Sequence, residues 1–269
     1  MPAVQKVREA ANRMSCANNI KQIAMAWHNF EGVYGSFPYG GTFQAPPRYI
    51  DGVPVIGLGQ PAGWGFQILP YIEEEAIYKG IGANDVSKGI NAKAAKIKIY
   101  FCPSRRSPED FEGGGMIDYA ASGGTATAAS IRMDYREKCW HSTLMTGVIQ
   151  PNQYGGCVWV SQITDGLSNT LMIGEKSFDA FLYGKRKDDD NEGYAVGYDQ
   201  DTIRWGNIQP EQDSITRELY GKKRFGSIHS GSFISAFADG SVKPINYSIN
   251  LTTISNLCSI ADGNPTSLD

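Results

Sequence analysis

At 269 residues with 41% hydrophobic side chains, the chain can bury a real core in one large domain or two small ones, and 31 glycines with 13 prolines weigh against a plain helical bundle. A formal net charge of −3 gives no electrostatic ground for binding nucleic acid. No apolar run approaches the roughly 18 residues that a membrane-crossing helix needs.

The first element is a helix starting at Pro2, a residue suited to a first helical turn, and ending near the glycines Gly32 and Gly35, with no other proline before Pro38. At about 100° per residue its apolar stripe changes face. Val4, Val7, Ala11 and Met14 share one side, away from Lys6, Arg8, Glu9, Asn12 and Arg13. Cys16, Ile20, Ile23, Ala24, Trp27 and Phe30 share nearly the opposite side. A helix lying on a single core has no reason to do this. One whose second half packs on its own domain while its first half meets another partner does, and Val4, Val7, Ala11 and Met14 are the expected assembly face.

Residues 37–63 read as an irregular Gly-, Pro- and aromatic-rich connection. Gln67 to Ile72 fits either strand or helix, and Glu73 to Tyr78 suits a helical turn whose Glu73, Glu74 and Glu75 form a solvated face rather than an acid/base pair. The alternating run KIKIYF before Cys102 reads as a half-buried strand. The tract MIDYAASGG lacks a phosphate-cradling glycine pattern, and Cys139, Trp140 and His141 are neighbours whose side chains are poorly placed for nucleophilic chemistry. VWVSQITDGLSNTLMIGEK predicts a short strand, a turn at Asp165-Gly166 and a strand over Asn169 to Glu175.

In the charged stretch that follows, Asp188, Asp190, Glu192, Gly193 and Asp199 fit a degenerate calcium-loop spacing. No amphipathic helices flank it, so a solvated surface loop is the leading reading and calcium the alternative. SFISAFADGSVKPINY predicts a β-hairpin turning at Asp239-Gly240, and Asn250 to Leu257 a short closing helix. The organisation expected is a helix over 1–35 and a head domain over 36–269.

The five cysteines, Cys16, Cys102, Cys139, Cys157 and Cys258, include no C-x-x-C pair, which disfavours a structural zinc site. Cys16 and Cys102 are candidates for a helix-to-sheet disulfide, and Cys139 with Cys157 for a short closed loop that would contribute about 3 kcal/mol. The alternative is that all the thiols stay reduced and buried.

Several of these stretches resemble one family, DUF1559. The residues are the opening PAVQKVREAANRMSCANNIKQIAMAWHNF, then Trp64, Leu69, Pro70, Tyr71, Glu73 and Tyr78, the strand end F-C-P-S, the turn I-T-D-G-L-S-N-T, and His229 separated by nine intervening residues from Asp239-Gly240. In that family a prepilin signal and an apolar membrane helix precede the segment matched here at Pro2. The resemblance implies an α+β, pilin-like fold, with a long N-terminal helix on an antiparallel sheet and large irregular loops. It strengthens the Cys16 to Cys102 pairing and slightly favours loop calcium.

An extended strand would hold His229 and Asp239 about 30 Å apart, so His229, Asp239 and Gly240 read as architectural rather than as a catalytic pair. No nucleophile elbow, H-E-x-x-H or dinucleotide fingerprint is present, and His28, His141 and His229 sit in unlike contexts, so an enzyme is not expected. The leading expectation is the extracytoplasmic domain of a pilin-like or pseudopilin-like structural subunit. It would be anchored by an upstream membrane segment, would assemble with other pilin-like subunits, and would have no partner among nucleic acids and no cofactor beyond calcium. The alternative is a surface polysaccharide-binding module using Trp140, Trp159 and Trp205.

Overall fold

The computed structural model describes residues 2–42, 44–108, 110–111, 114–125, 146–151, 156–183, 190–215, 223–266 and 268. Cys139, Trp140, His141 and Asp188 lie outside them. The protein is α+β, built on the helix α1 (Pro2–Tyr34) and a five-stranded sheet. In chain order the strands are β1 (Tyr119–Ser122), β2 (Leu171–Glu175), β3 (Ile203–Arg204), β4 (Ser232–Phe237) and β5 (Val242–Asn246). Their spatial order is β5-β4-β2-β1-β3, antiparallel throughout except for the parallel pair β1–β3. The shorter helices are α2 (Trp64–Gln67), α3 (Glu75–Lys79), α4 (Asp85–Ala94) and α5 (Leu251–Cys258).

The sheet is covered on both faces, and the period-2 alternation of β4 shows how. Ile234 and Ala236 join the cluster that holds Ile20, Ile23, Ala24 and Trp27 of α1, while Phe233 and Phe237 join Ile254, Leu257 and Cys258 of α5. The β4–β5 hairpin pairs Ser232 with Asn246 through Ala236 with Val242. At its turn Asp239 Oδ1 accepts the Ser241 amide at 2.8 Å and Gly240 takes φ 79°, a conformation that costs glycine little. The I-T-D-G turn docks there: the Asp239 and Ala238 amides donate to Leu167 O and Thr170 O, and the Asp165 carboxylate takes the amides of Asp262 and Gly263.

Two strand expectations are corrected. Residues Lys98–Tyr100 and Val160–Gln162 are single 3-10 turns. In the first, the alternation of lysine and isoleucine imitates a strand, but the segment turns, with the Tyr100 and Phe101 amides donating to Ile97 O and Lys98 O, and it buries Ile97, Tyr100, Phe101 and Cys102. The Tyr100 hydroxyl donates to Gly65 O at 2.6 Å, and Tyr100 O accepts the Asp118 amide, so the turn's polar groups are satisfied by non-local partners. The acidic stretch is also corrected: residues 193–199 are buried, because its Tyr194, Ala195, Val196 and Tyr198 pack into the core instead of forming a solvated loop.

Candidate functional site

α1 has two characters along its length. From Cys16 to Phe30 its inner face is buried, with Trp27 wedged between Phe37 and Trp64, ring centroids 5.7 Å from each. Before Cys16 the side turned to the body is polar. Glu9 accepts from Ser104 Oγ at 2.7 Å and contacts His229 Nδ1 at 2.5 Å, and Arg13 donates to Ser230 O at 3.0 Å and to Ser232 Oγ at 3.3 Å. At 100° per residue Glu9 and Arg13 lie on the same side as Cys16. Val4, Val7, Ala11 and Met14 therefore point away from the body and are exposed, Val7 and Met14 at 70% and 68%. Met25 and Val33, both exposed, extend that apolar side towards the end of the helix.

The helix also grips both ends of β4. Glu9 and Arg13 hold the His229 end, and Lys21 Nζ donates to Gly240 O at 2.7 Å at the other. Twelve residues of helix rise about 18 Å. Six residues of strand span about 20 Å. The nine-residue spacing between His229 and Asp239 thus matches the strand to the stretch of helix that clamps it.

Where α1 crosses the sheet, four chemically active side chains meet in the interior. Cys16 comes from α1, Cys102 from the turn after Phe101, Glu175 from the end of β2 and His229 from the approach to β4. One ligand atom of each lies within 4.8 Å of all the others, and all four residues are buried. The Cys16 and Cys102 sulfurs are 2.9 Å apart as unbonded thiols. Cys102 Sγ is 3.7 Å from His229 Nε2, which is 3.3 Å from Glu175 Oε1. The second Glu175 oxygen accepts the Ile234 amide at 2.8 Å. Burial alone would lower the His229 pKa, but the hydrogen bonds with Cys102, Glu175 and Glu9 and the Glu175 charge raise it to about 10. Burial would raise the Glu9 pKa, yet the bonds from Ser104 and His229 hold it below the usual carboxylate range.

Behind Cys102 the two arginines of C-P-S-R-R enter a buried charge network. Arg105 Nε bonds Asp213 at 3.0 Å, and its Nη1 lies 3.2 Å from Asp118. Arg106 makes a two-toothed bond to Asp190 and sits 2.8 Å from Asp118, whose other oxygen accepts the Cys102 amide at 2.7 Å. Both guanidinium groups and Lys176 face the Phe178 ring.

The calcium-loop residues are used differently. Asp190 pairs with Arg106 and Glu192 with Lys93, and among the described residues Asp190, Glu192 and Asp199 form no group able to share an ion. The amides of Asn191, Glu192 and Gly193 instead converge on the buried Asp201 carboxylate. Burial, and then the charges of Asp201 and Glu192, push the Asp199 carboxyl up to about 8 despite hydrogen bonds from the Asp201 amide and Gln44. The folded protein therefore keeps a proton on Asp199 that the unfolded chain loses above about pH 4, so stability falls as pH rises from there to about 8. Asp199→Asn is expected to gain on the parent across that window, by at most about 1.4 kcal/mol per pH unit. Urea unfolding of both at pH 5 and pH 7.5 checks it, and a constant difference between the two would refute it.

Of the three tryptophans suspected of sugar binding, Trp159 is exposed and Trp205 is buried. Cys157 is half-buried and Cys258 is buried. Sequence reasoning placed Cys16 and Cys102 together but missed Glu175 and His229 beside them. The signal available was that Cys16, Cys102, Glu175 and His229 each fall inside a separate motif. Comparison with curated proteins and with solved structures finds no match. The family SBP_bac_10, described as "Protein of unknown function (DUF1559)", matches residues 5–252, and the chain belongs to that family.

Proposed function

We propose that the protein is a pilin-like or pseudopilin-like structural subunit that acts outside the cytoplasm and assembles with other such subunits through α1. One observation carries this reading: the first half of α1 turns Glu9 and Arg13 to its own body and leaves Val4, Val7, Ala11 and Met14 in water. A helix folded for its own domain alone would place those faces the other way round, because exposed apolar side chains gain nothing and buried charges need partners. Along 33 residues the helix reaches about 50 Å, enough for helix-to-helix contact between neighbouring copies. The buried network around Arg105 and Arg106 serves rigidity in this reading, not catalysis.

The double substitution Val7→Glu with Met14→Glu tests it. The variant is expected to keep the parent's melting temperature, because neither side chain is buried, and to lose incorporation into assemblies on cells expressing the full gene. A photo-crosslinking residue at Val7 is expected to capture another pilin-like subunit. Unchanged incorporation of the double variant, with no capture at Val7, would remove the reading.

A further inference from the structure

The geometry points to a metal site: we infer that Cys16, Cys102, Glu175 and His229 bind one zinc ion, which fastens α1 to the sheet. The inference does not depend on the assembly reading. Zinc takes four ligands at the corners of a tetrahedron, with bonds of about 2.3 Å to sulfur and about 2.0–2.2 Å to nitrogen or oxygen. Those lengths imply ligand-to-ligand edges of about 3.6 Å for sulfur to nitrogen and about 3.4 Å for nitrogen to oxygen. The Cys102 Sγ to His229 Nε2 distance is 3.7 Å and the His229 Nε2 to Glu175 Oε1 distance is 3.3 Å. The sulfur-to-sulfur edge is the one that must change. It is 2.9 Å here and opens to about 3.8 Å around the ion, a movement of one cysteine rotamer.

The surroundings of the ligands fit as well. His229 presents Nε2 to the centre because Nδ1 faces the Glu9 carboxylate, the arrangement that fixes the ring and the tautomer of a metal-bound histidine. Glu9 is itself oriented by Ser104, two residues after Cys102. Glu175 spends one oxygen on the Ile234 amide and aims the other, fully buried, at the centre, where it lies 3.3 Å from His229 Nε2. A buried carboxylate needs positive charge beside it, and zinc supplies that charge once His229 ligates as the neutral imidazole. Two thiolates, an imidazole and a carboxylate form a donor set of the softness zinc prefers over calcium or magnesium. Each thiol, and Nε2 of the protonated His229, gives its proton to solvent as its bond to the ion forms, three protons in all. The four ligands come from α1, the C-P-S turn, β2 and the β4 approach, so the ion ties together elements far apart in sequence.

The full chain, purified anaerobically with reductant and stripped with chelator, is titrated with cobalt(II) alone and then with zinc(II) alone. Cobalt is expected to bind one equivalent, with thiolate-to-cobalt charge-transfer absorption and visible bands of tetrahedral intensity, and zinc to displace it and raise the melting temperature. Cys102→Ser and His229→Ala are expected to lose the charge-transfer signature or shift it. If either fails to fold, Glu175→Gln, which retains an acceptor for the Ile234 amide, is expected to weaken cobalt binding. Glu9 is a positioning residue, so Glu9→Gln is expected to bind about 10–100-fold more weakly while keeping the same spectrum. A reduced chain that takes up no cobalt, or protein isolated two hydrogens lighter with a peptide joining Cys16 to Cys102, overturns the site.

Discussion

Trp27→Ala is expected to lower the unfolding free energy by about 3–5 kcal/mol, against a change within about 0.5 kcal/mol for Val7→Ala or Met14→Ala. Trp27 has no exposed surface and is held between Phe37 and Trp64, at the point where α1 meets the segment before β1. Removing the indole deletes a large apolar area and leaves a cavity that three rigid neighbours, a helix and two aromatic rings, cannot close. Val7 and Met14 lie on the same helix but in water, so truncating them costs only local helix terms. Chemical denaturation of the three variants measures the contrast directly. A large loss for Val7→Ala would mean that the first half of α1 packs on its own body after all.

Arg105→Met is expected to cost about 3–5 kcal/mol, although the new side chain fills similar space. Arg105 is almost wholly buried, bonds Asp213, and lies against Asp118. Taking away the guanidinium leaves the Asp213 carboxylate with the Tyr183 hydroxyl and the Phe178 amide but no cation at Nε. A buried charge without its counterion is the costly state, more so than the absence of both. Adding Asp213→Asn to Arg105→Met is therefore expected to recover part of the loss, whereas Asp213→Asn alone is expected to destabilise. Urea midpoints for the two single variants and the double form a mutant cycle; additive losses would show that the pair is not coupled.

The elements visible in the chain are those whose pattern is local. The change of face in α1 could be read from residue spacing, since a helix repeats every 3.6 residues and Val4 to Met14 fall opposite Cys16 to Phe30. The β4–β5 hairpin and the α5 helix could be read for the same reason: two strand-like runs meeting at the tight-turn dipeptide Asp239-Gly240, and an Asn250 cap before an apolar turn. The 3-10 turn at Lys98–Tyr100 was not legible, because its shape answers to Gly65 and Asp118 rather than to its neighbours. Nor was the burial of Asp190 and Asp199, since a run of charge reads as solvated until Asp190 is found paired with Arg106 and Asp199 is found holding its proton.

The sequence by itself determined the family, the two-faced helix and the chance that Cys16 meets Cys102. Only the tertiary structure decided that Glu9, Glu175 and His229 stand around that pair. These residues come from four segments, and nothing in the spacing of any one segment records the position of another. Their meeting is set by α1 crossing the sheet between the two ends of β4, a long-range packing geometry that no local period encodes.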